Sequence, residues 1–580
     1  MLAAFTAVAL LPFASPGASA ASNFTFYGSG YGHGIGMSQW GAYGLAQMGW
    51  THQRILTHFY QGTAVERRAT LPRSIRVGLT DGRTVIHLTA QAGPVEIWEG
   101  KPGKGTLVGA IPKGATWTVT AKAAGAYAVR DGTGALVGGR WGGPGTNLIV
   151  RYESAGARVF VPEADAIWGR GFSYGRGTLE FNLYSCGDAD GCAERLIARL
   201  SLEDYLYGLG EVPASWPMEA LEAQAVAARS FAAYAIRHGG RRASCNCHLT
   251  DGAGDQTYMG YERESGASGD RWVSAVDQTR RQVVTYSGNV IQAFYAASDG
   301  GHSENVEDAW HGGNPAYAIP WLTGVCDPGE STPANPWDAW QRSFDASTLT
   351  SRLIPYTGSI GTITGFTSIV RGDSGRVVTL VAQGSSGAKK LSGTQLRAGL
   401  GLPDDRVWIN SDRTIRGAIR EKYDGLMCRP GLPTAPQRVV SDGAQQFFQT
   451  GGVYLNAGTG LTVWLKGSID REYRGVGAVA GTLGVPVTPP RSLSGTRALS
   501  CTTCRRADFA QGRIYWKGGT GAHALWGPVL SAYLANGGAQ GALGFPTTRV
   551  KNRSDGGTRA LFEHGRIVCA AGEACTVATV

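Results

Sequence analysis

Between residues 75 and 165 apolar and polar residues alternate in short runs, such as Ile75-Arg76-Val77-Gly78-Leu79 and Thr84-Val85-Ile86-His87-Leu88, with Gly/Asp turns between them. A period of two predicts half-buried β-strands. The pattern continues through 178–207, where Cys186 and Cys192 fall at an expected hairpin tip, and strands are expected again over 283–300 and 364–410. The period changes over 217–238. There Leu221, Ala225, Ala228, Phe231 or Ala232, and Ala235 or Ile236 recur at helical spacing. Pro217 suits the first helical position, Glu219 the first turn, and Gly239-Gly240 the end. The small alanines on this stripe allow close backbone approach, so a central, buried helix is expected. A second helical stretch, about 38–48, follows the glycine-rich string Gly32–Ala42.

The end of the chain repeats. Phe448-x-x-Gly451-Gly452-Val453-Tyr454 returns as Phe509-x-x-Gly512-Arg513-Ile514-Tyr515, 61 residues on, and Leu483-Gly484-Val485-Pro486 as Leu543-Gly544-Phe545-Pro546, 60 residues on. A partial third copy starts at Phe562. A fixed period of this size predicts small stacked units.

Composition narrows the classes. At 580 residues the chain is long enough for about four folding units. An apolar content of 43% excludes whole-chain disorder, and the 86 glycines do not fall at every third position, which excludes collagen. No run of 18 apolar residues occurs, so no transmembrane anchor is expected. The net charge of +10 would favour anionic polymers or membrane surfaces, whereas the absence of any basic run or recognition motif argues against nucleic acid. Residues 1–20 read as a secretory signal, with a short apolar core, the small-x-small site Ala18-Ser19-Ala20, and no formal charge before Arg54. The ten cysteines fit an exported protein. Cys186/Cys192, Cys501/Cys504 and Cys569/Cys575 are candidate small loops, Cys326/Cys428 a candidate long-range pair, and Cys245/Cys247 remain; spacing alone leaves the connectivity open.

Candidate chemistry centres on Glu211, in Gly210-Glu211-Val212-Pro213-Ala214-Ser215-Trp216-Pro217. A carboxyl among apolar residues, beside Trp216 and ahead of a buried helix, is expected to be desolvated and held protonated near neutrality. That is the state a general acid for glycosidic cleavage needs. On spacing alone, a glutamate that merely hydrogen-bonds a turn fits as well.

Larger motifs carry a resemblance. Leu202-Glu203-Asp204-Tyr205-Leu206, Glu211-Val212-Pro213, Trp216 and Glu219 through Arg229-Ser230-Phe231 resemble the core motif of the SpoIID/LytB family. Asp255-Gln256-x-Tyr258-x-Gly260, Ala293 through Ser298-x-Gly300-Gly301-x-Ser303-Glu304, and Leu391-Ser392-Gly393 through Leu402 resemble further signatures of that family. Gly32-His33-Gly34-x-Gly36-Met37-Ser38-Gln39 resembles its most distinctive string, which here precedes the other motifs instead of following them, so the chain looks circularly permuted. Residues 24–64 are therefore expected to pack beside the 217–238 helix and complete one groove. The C-terminal motifs resemble the LGFP repeat of exported wall proteins, with Val485 where the first copy would carry Phe.

The resemblance implies an α+β fold: a β-rich catalytic unit of the SpoIID type around a central buried helix, with an inserted β-domain, and small repeat units after it. The expected divisions are a signal peptide at 1–20, an N-terminal segment of the catalytic unit at 21–74, a β-rich subdomain at 75–165, the main catalytic segment at 166–427, a linker at 428–440 and wall-binding repeats at 441–580. It implies a secreted, wall-associated lytic transglycosylase of peptidoglycan. Glu211 would be the single catalytic acid, with Glu219 as the next candidate. His33, Ser38, Gln39, Gln256, Tyr258, Tyr295, Ser298 and Glu304 would line the groove and bind sugar. Gln224 and Arg229 are expected in a structural network. The expected partners are peptidoglycan glycan strands, wall polymers held by the repeats, and an amidase. No cofactor is expected. Some relatives hold zinc through Cys and His, but Cys245-Asn246-Cys247-His248 is an isolated cluster, for which a disulfide or buried thiol is expected. The alternative is a non-catalytic wall-binding protein that stimulates a peptidoglycan amidase; a third reading, a hydrolase, needs a second carboxylate near Glu211 or a substrate-assisted mechanism.

Overall fold

The computed structural model describes residues 23–122, 125–143, 146–164, 169–187, 191–493, 501 and 503–580, so the expected signal at 1–20 lies outside the described residues. The architecture is mixed, with 24% helix and 37% strand in several sheets. Its first strand, Asn23–Gly28, is central in a three-stranded antiparallel sheet between Trp340–Asp345 and Val407–Ile409. The first described strand thus lies beside a strand almost 400 residues further along the chain.

Helix Met218–Tyr234 is the hub. Pro217 stands at its N-cap, and a single π-turn, Ala235–Gly239, extends it to Gly240 at φ +59°. The expectation of one apolar stripe proves too narrow, because Ala220 through Ala233 are all buried. The helix runs between two cores. Ala225, Ala228 and Ala232 belong to the core of the β-rich region, and Ala223, Val226 and Ala227 to a second core with Ile35, Met37, Leu45, Ile55 and Phe59. Residues 31–60 pack here as expected: helix Gln39–Gln47 starts at the Ser38 N-cap, whose hydroxyl accepts from the Gly41 amide at 3.0 Å, and His52–Phe59 follows. Two buried polar residues tie the hub to its neighbours, and Gln224 Oε1 accepts from Gln39 at 3.3 Å. Buried Arg229 donates to Glu203 at 2.9 and 3.2 Å and to the carbonyls of Val276 and Gln282, a structural network as expected.

The β-rich region does not end at 165. Its seven-stranded sheet runs in the order Leu249–Thr250, Ser74–Arg83, Gly191–Ser201, Thr178–Gly187, Leu148–Tyr152, Val95–Glu99, Thr106–Ile111. Strands from both sides of the expected boundary therefore share one ladder, and a five-stranded sheet, from Phe172–Tyr174 to Ala126–Arg130, packs in the same core. The stretch 364–410 is not strand throughout: after Ile363–Arg371, Val377–Gly384 and Gly387–Ser392 comes helix Gly393–Leu400, closed by a Ser392/Gln395 capping box.

The end of the chain forms three four-stranded sheets. In two units a helix tyrosine closes the turn: Tyr473 donates to the Gly484 carbonyl at 2.6 Å and Tyr533 to that of Gly544 at 2.7 Å. Each of these rings stacks on the phenylalanine of the next sheet, Phe509 and Phe562. Tyr423 of helix Gly417–Gly425 stacks on Phe448 in the same way. The expected linker 428–440 is thus built into the first repeat unit: Cys428 is disulfide-bonded to Cys326, Pro433 bridges Phe448, and Arg438–Val440 is a sheet strand. Cys245–Cys247, Cys501–Cys504 and Cys569–Cys575 are also disulfides, whereas the Cys186 side chain lies outside the described residues. Among the described residues no helix is long and apolar enough to cross a membrane.

Candidate active site

Glu211 sits in the turn just before the hub helix and opens into a cavity of about 520 Å³. Four chain segments build the walls: Tyr31, Gly32, His33 and Gln39; Phe231 of the hub helix; Ala253, Gly254, Asp255 and Thr257; and Phe294 to Ala297, with Trp310 and Arg397 at the side. The glycine string makes the first wall possible. Gly36 has φ +70°, and a Cβ there would stand 2.1 Å from the Phe294 carbonyl oxygen. This close approach lets Met37–Ser38 pair in parallel with Tyr295–Ala296 and carries Gln39 to Glu211.

Burial pushes the Glu211 carboxyl up to about 7, and three donors work against that rise: the Thr257 amide, the Tyr295 hydroxyl and the Gln39 amide group. The Thr257 N–H lies 2.6 Å from Oε1. The Tyr295 hydroxyl ends a directed chain. Tyr205 donates to Gln256 Oε1 at 2.9 Å, Gln256 Nε2 donates to the Tyr295 oxygen at 2.9 Å, and Tyr295 donates to Glu211. Gln39 also donates to Gln224 at 3.3 Å. The carboxyl is therefore oriented by fixed donors yet half protonated near neutral pH.

His33 is neutral at physiological pH, since burial and then the Arg376 and Arg397 charges lower its pKa to about 4. Its Nδ1 accepts from the Ile35 amide at 3.0 Å, and it also hydrogen-bonds the Tyr295 backbone. The ring lies against Trp310, with centroids 5.3 Å apart. A second carboxylate, Asp255, reaches the cavity wall but is held by Arg242 and by the Thr250 amide and hydroxyl.

The expected site residues divide into three groups. His33, Gln39 and Tyr295 line the cavity with Glu211. Gln256 stands one hydrogen bond behind it. Ser38, Ser298, Tyr258 and Glu304 lie elsewhere. Ser38 and Ser298 both donate to buried Glu330, Ser298 at 2.7 Å; Tyr258 stacks on Tyr205 with centroids 5.3 Å apart; and Glu304 accepts from Ser374 at 2.6 Å. Trp216 packs on Trp40 and Tyr43, so the apolar wall beside Glu211 is made by Phe231, Phe294 and Tyr295 instead. Glu219 holds the His52 amide at 2.6 Å and the His52 ring at 3.0 Å, away from the cavity. Tyr205, Thr257, Trp310 and Arg397 are site residues that sequence reasoning misses. Tyr205 and Arg397 lie in motifs already singled out, and only their convergence in space marks them.

Two carboxylate groupings have the spacing of cation ligands, His52 with Glu219 and Glu222, and Asp299 with Asp327 and Glu330. In the first the imidazole itself bridges the glutamates, at 3.0 and 2.7 Å. In the second Glu330 is saturated by Ser38, Ser298, Asn335 and the Asp299 amide. The Cys245–Cys247 disulfide leaves no thiolate beside His248, whose Nδ1 accepts from the Arg76 amide at 3.0 Å.

Residues 192–286 match the SpoIID family model, described as Stage II sporulation protein, and residues 483–541 match the LGFP repeat model. The chain is 28% identical over 242 residues to the stage II sporulation protein D of Bacillus subtilis, covering 39% of this chain and 66% of that protein. It is 37% identical over 117 residues to the amidase enhancer of the same organism, covering 20% of this chain and 14% of that protein. An uncharacterized protein of Brachyspira hyodysenteriae is 34% identical over 146 residues, 24% of this chain and 36% of that protein. The chain thus spans from 14% to 66% of the length of these relatives. The chain carries a SpoIID segment and an LGFP segment, which supports a cell-wall related function.

Proposed function

We propose that this protein is an exported lytic transglycosylase that cleaves peptidoglycan glycan strands and is retained on the wall by its repeats. The observation that carries the reading is Glu211: a carboxyl with its pKa raised to about 7, opening into a cavity with aromatic walls. The protonated carboxyl donates its proton to the bridging oxygen as the glycosidic bond breaks. The resulting carboxylate accepts the proton of the muramic C6 hydroxyl, whose oxygen bonds to C1 and closes an anhydro ring. Glu211 ends as it began, and no water is consumed. One carboxyl therefore suffices, and the engaged state of Asp255 leaves the acid role to Glu211.

The test is end-group analysis by mass spectrometry after incubating the mature protein with peptide-free glycan strands. Anhydro ends are expected, with a loss of at least about 100-fold in Glu211→Gln. Reducing ends would make it a hydrolase. No cleavage, together with faster amidase action in a reconstituted mixture, would establish the alternative favoured by the amidase-enhancer similarity.

A further inference from the structure

A second cavity, about 540 Å³, lies at the seam of the first two repeat units and takes no part in the chemistry above. Trp464 of strand Thr462–Lys466 lines it from the first unit, and Trp516 of strand Gly512–Lys517 from the second. Both indoles are half-buried. Lys466 and Arg505 also line it, and both are exposed. The Lys466 ammonium stands 5.0 Å from the Trp464 ring centre, and the Arg429 guanidinium 5.9 Å. Among the described residues neither Lys466 nor Arg505 forms an ion pair, and no acidic side chain lines the cavity. The Trp464 indole N–H is buried and has no hydrogen-bond partner among the described residues.

These features select a ligand. Flat indole faces suit the C–H faces of pyranose rings, and the unpaired cations suit an anion. We infer that this seam binds a carboxylate-bearing glycan chain. The inference rests on the wall-retention reading of the repeats and locates it at one seam, with Trp464 and Trp516 as the stacking pair and Lys466 and Arg505 as the anion contacts. The catalytic cavity lies in a different part of the chain, so binding here holds the protein on its polymer without occupying Glu211.

The experiment uses the full chain and two probes, oligogalacturonate as the acidic glycan and chitohexaose as the neutral one, followed by titration calorimetry. Oligogalacturonate is expected to bind more tightly than chitohexaose. Trp464→Ala or Trp516→Ala should weaken it by about tenfold or more. The double variant Lys466→Gln/Arg505→Gln changes only exposed side chains, so it keeps the fold, and it should remove the preference for the acidic probe and most of the salt dependence. Wild-type affinity in all three variants, or equal affinity for both probes, would overturn the inference. Co-sedimentation with isolated walls separates it from the broader reading: if wild type and all variants pellet alike, the seam is wrong and wall retention stands. If wild type itself stays in solution, wall retention fails. A wild-type dimer in analytical ultracentrifugation that Trp464→Ala renders monomeric would assign the seam to a second copy instead.

Discussion

Glu211 shows how a side chain's neighbours set its chemistry. Burial raises its pKa to about 7, while the Tyr295, Thr257 and Gln39 donors favour the charged form. Under the proposed mechanism, activity falls as pH rises through about 7, because the proton to be donated is lost. Tyr295→Phe removes one donor to the carboxylate, so the pKa rises further and the alkaline limb of the pH–rate profile moves to higher pH. An unmoved limb would take Tyr295 out of the site. The raised pKa also bears on stability: a carboxyl whose folded pKa exceeds its unfolded value loses its contribution as pH rises. Glu211→Gln is therefore expected to melt at a higher temperature than wild type at pH 8, with the gap closing toward pH 4, as differential scanning calorimetry would read. The apolar flanks of Glu211 made its desolvation legible in the sequence. The source of the apolar wall was not, because Phe231 and Phe294 come from segments 20 and 83 residues away. Ser38 and Ser298 show the converse: they lie in site motifs, yet the contact that decides their role is Glu330, in no motif at all.

At the scale of elements, the hub helix was visible from its spacing, but its second buried face was not. A stripe is read against one core, and here two cores meet on one helix. Small residues on both faces leave no room to grow. Ala228→Leu should destabilise by about 1–3 kcal/mol through overpacking, measured by urea denaturation. His52 joins the second helix of the N-terminal segment to the hub. Burial opposes its charge, but the hydrogen bonds its ring donates to Glu222, Gln282 and Glu219 outweigh burial, and its pKa is raised above the usual histidine value. The stability it adds is full below about 6.5 and is lost as pH rises through the higher folded-state value. The melting-temperature gap between wild type and His52→Asn should therefore be wider at pH 5.5 than at pH 8.5. A constant gap would mean that His52 acts by shape alone. Helix Gly393–Leu400 had a readable start in Ser392-x-x-Gln395, a capping box whose short following run was absorbed into the flanking strand pattern.

At the scale of the whole molecule, the repeats were legible because copies of one motif can be compared along the chain. The boundary before them was not. Pro430, Pro433 and Pro436 resemble a linker in composition, yet Pro433 bridges Phe448 and Cys428 is tied to Cys326 across a separation of 102 residues. Closing a loop of that length restricts the unfolded chain, so Cys326→Ala/Cys428→Ala should cost about 2–5 kcal/mol. Calorimetry should also show the repeats melting apart from the unit before them in that variant, where wild type melts them more nearly together.

The placement of Asn23–Gly28 between Trp340–Asp345 and Val407–Ile409 has a consequence for biosynthesis. A chain emerging N-terminus first exposes this strand long before either neighbour exists. Both of its edges must wait for more than 300 further residues, a wait that makes folding slow and open to aggregation. Vectorial, piece-by-piece maturation is closed to this unit, and a ribosome stall before residue 407 releases a product with a bare, adhesive edge.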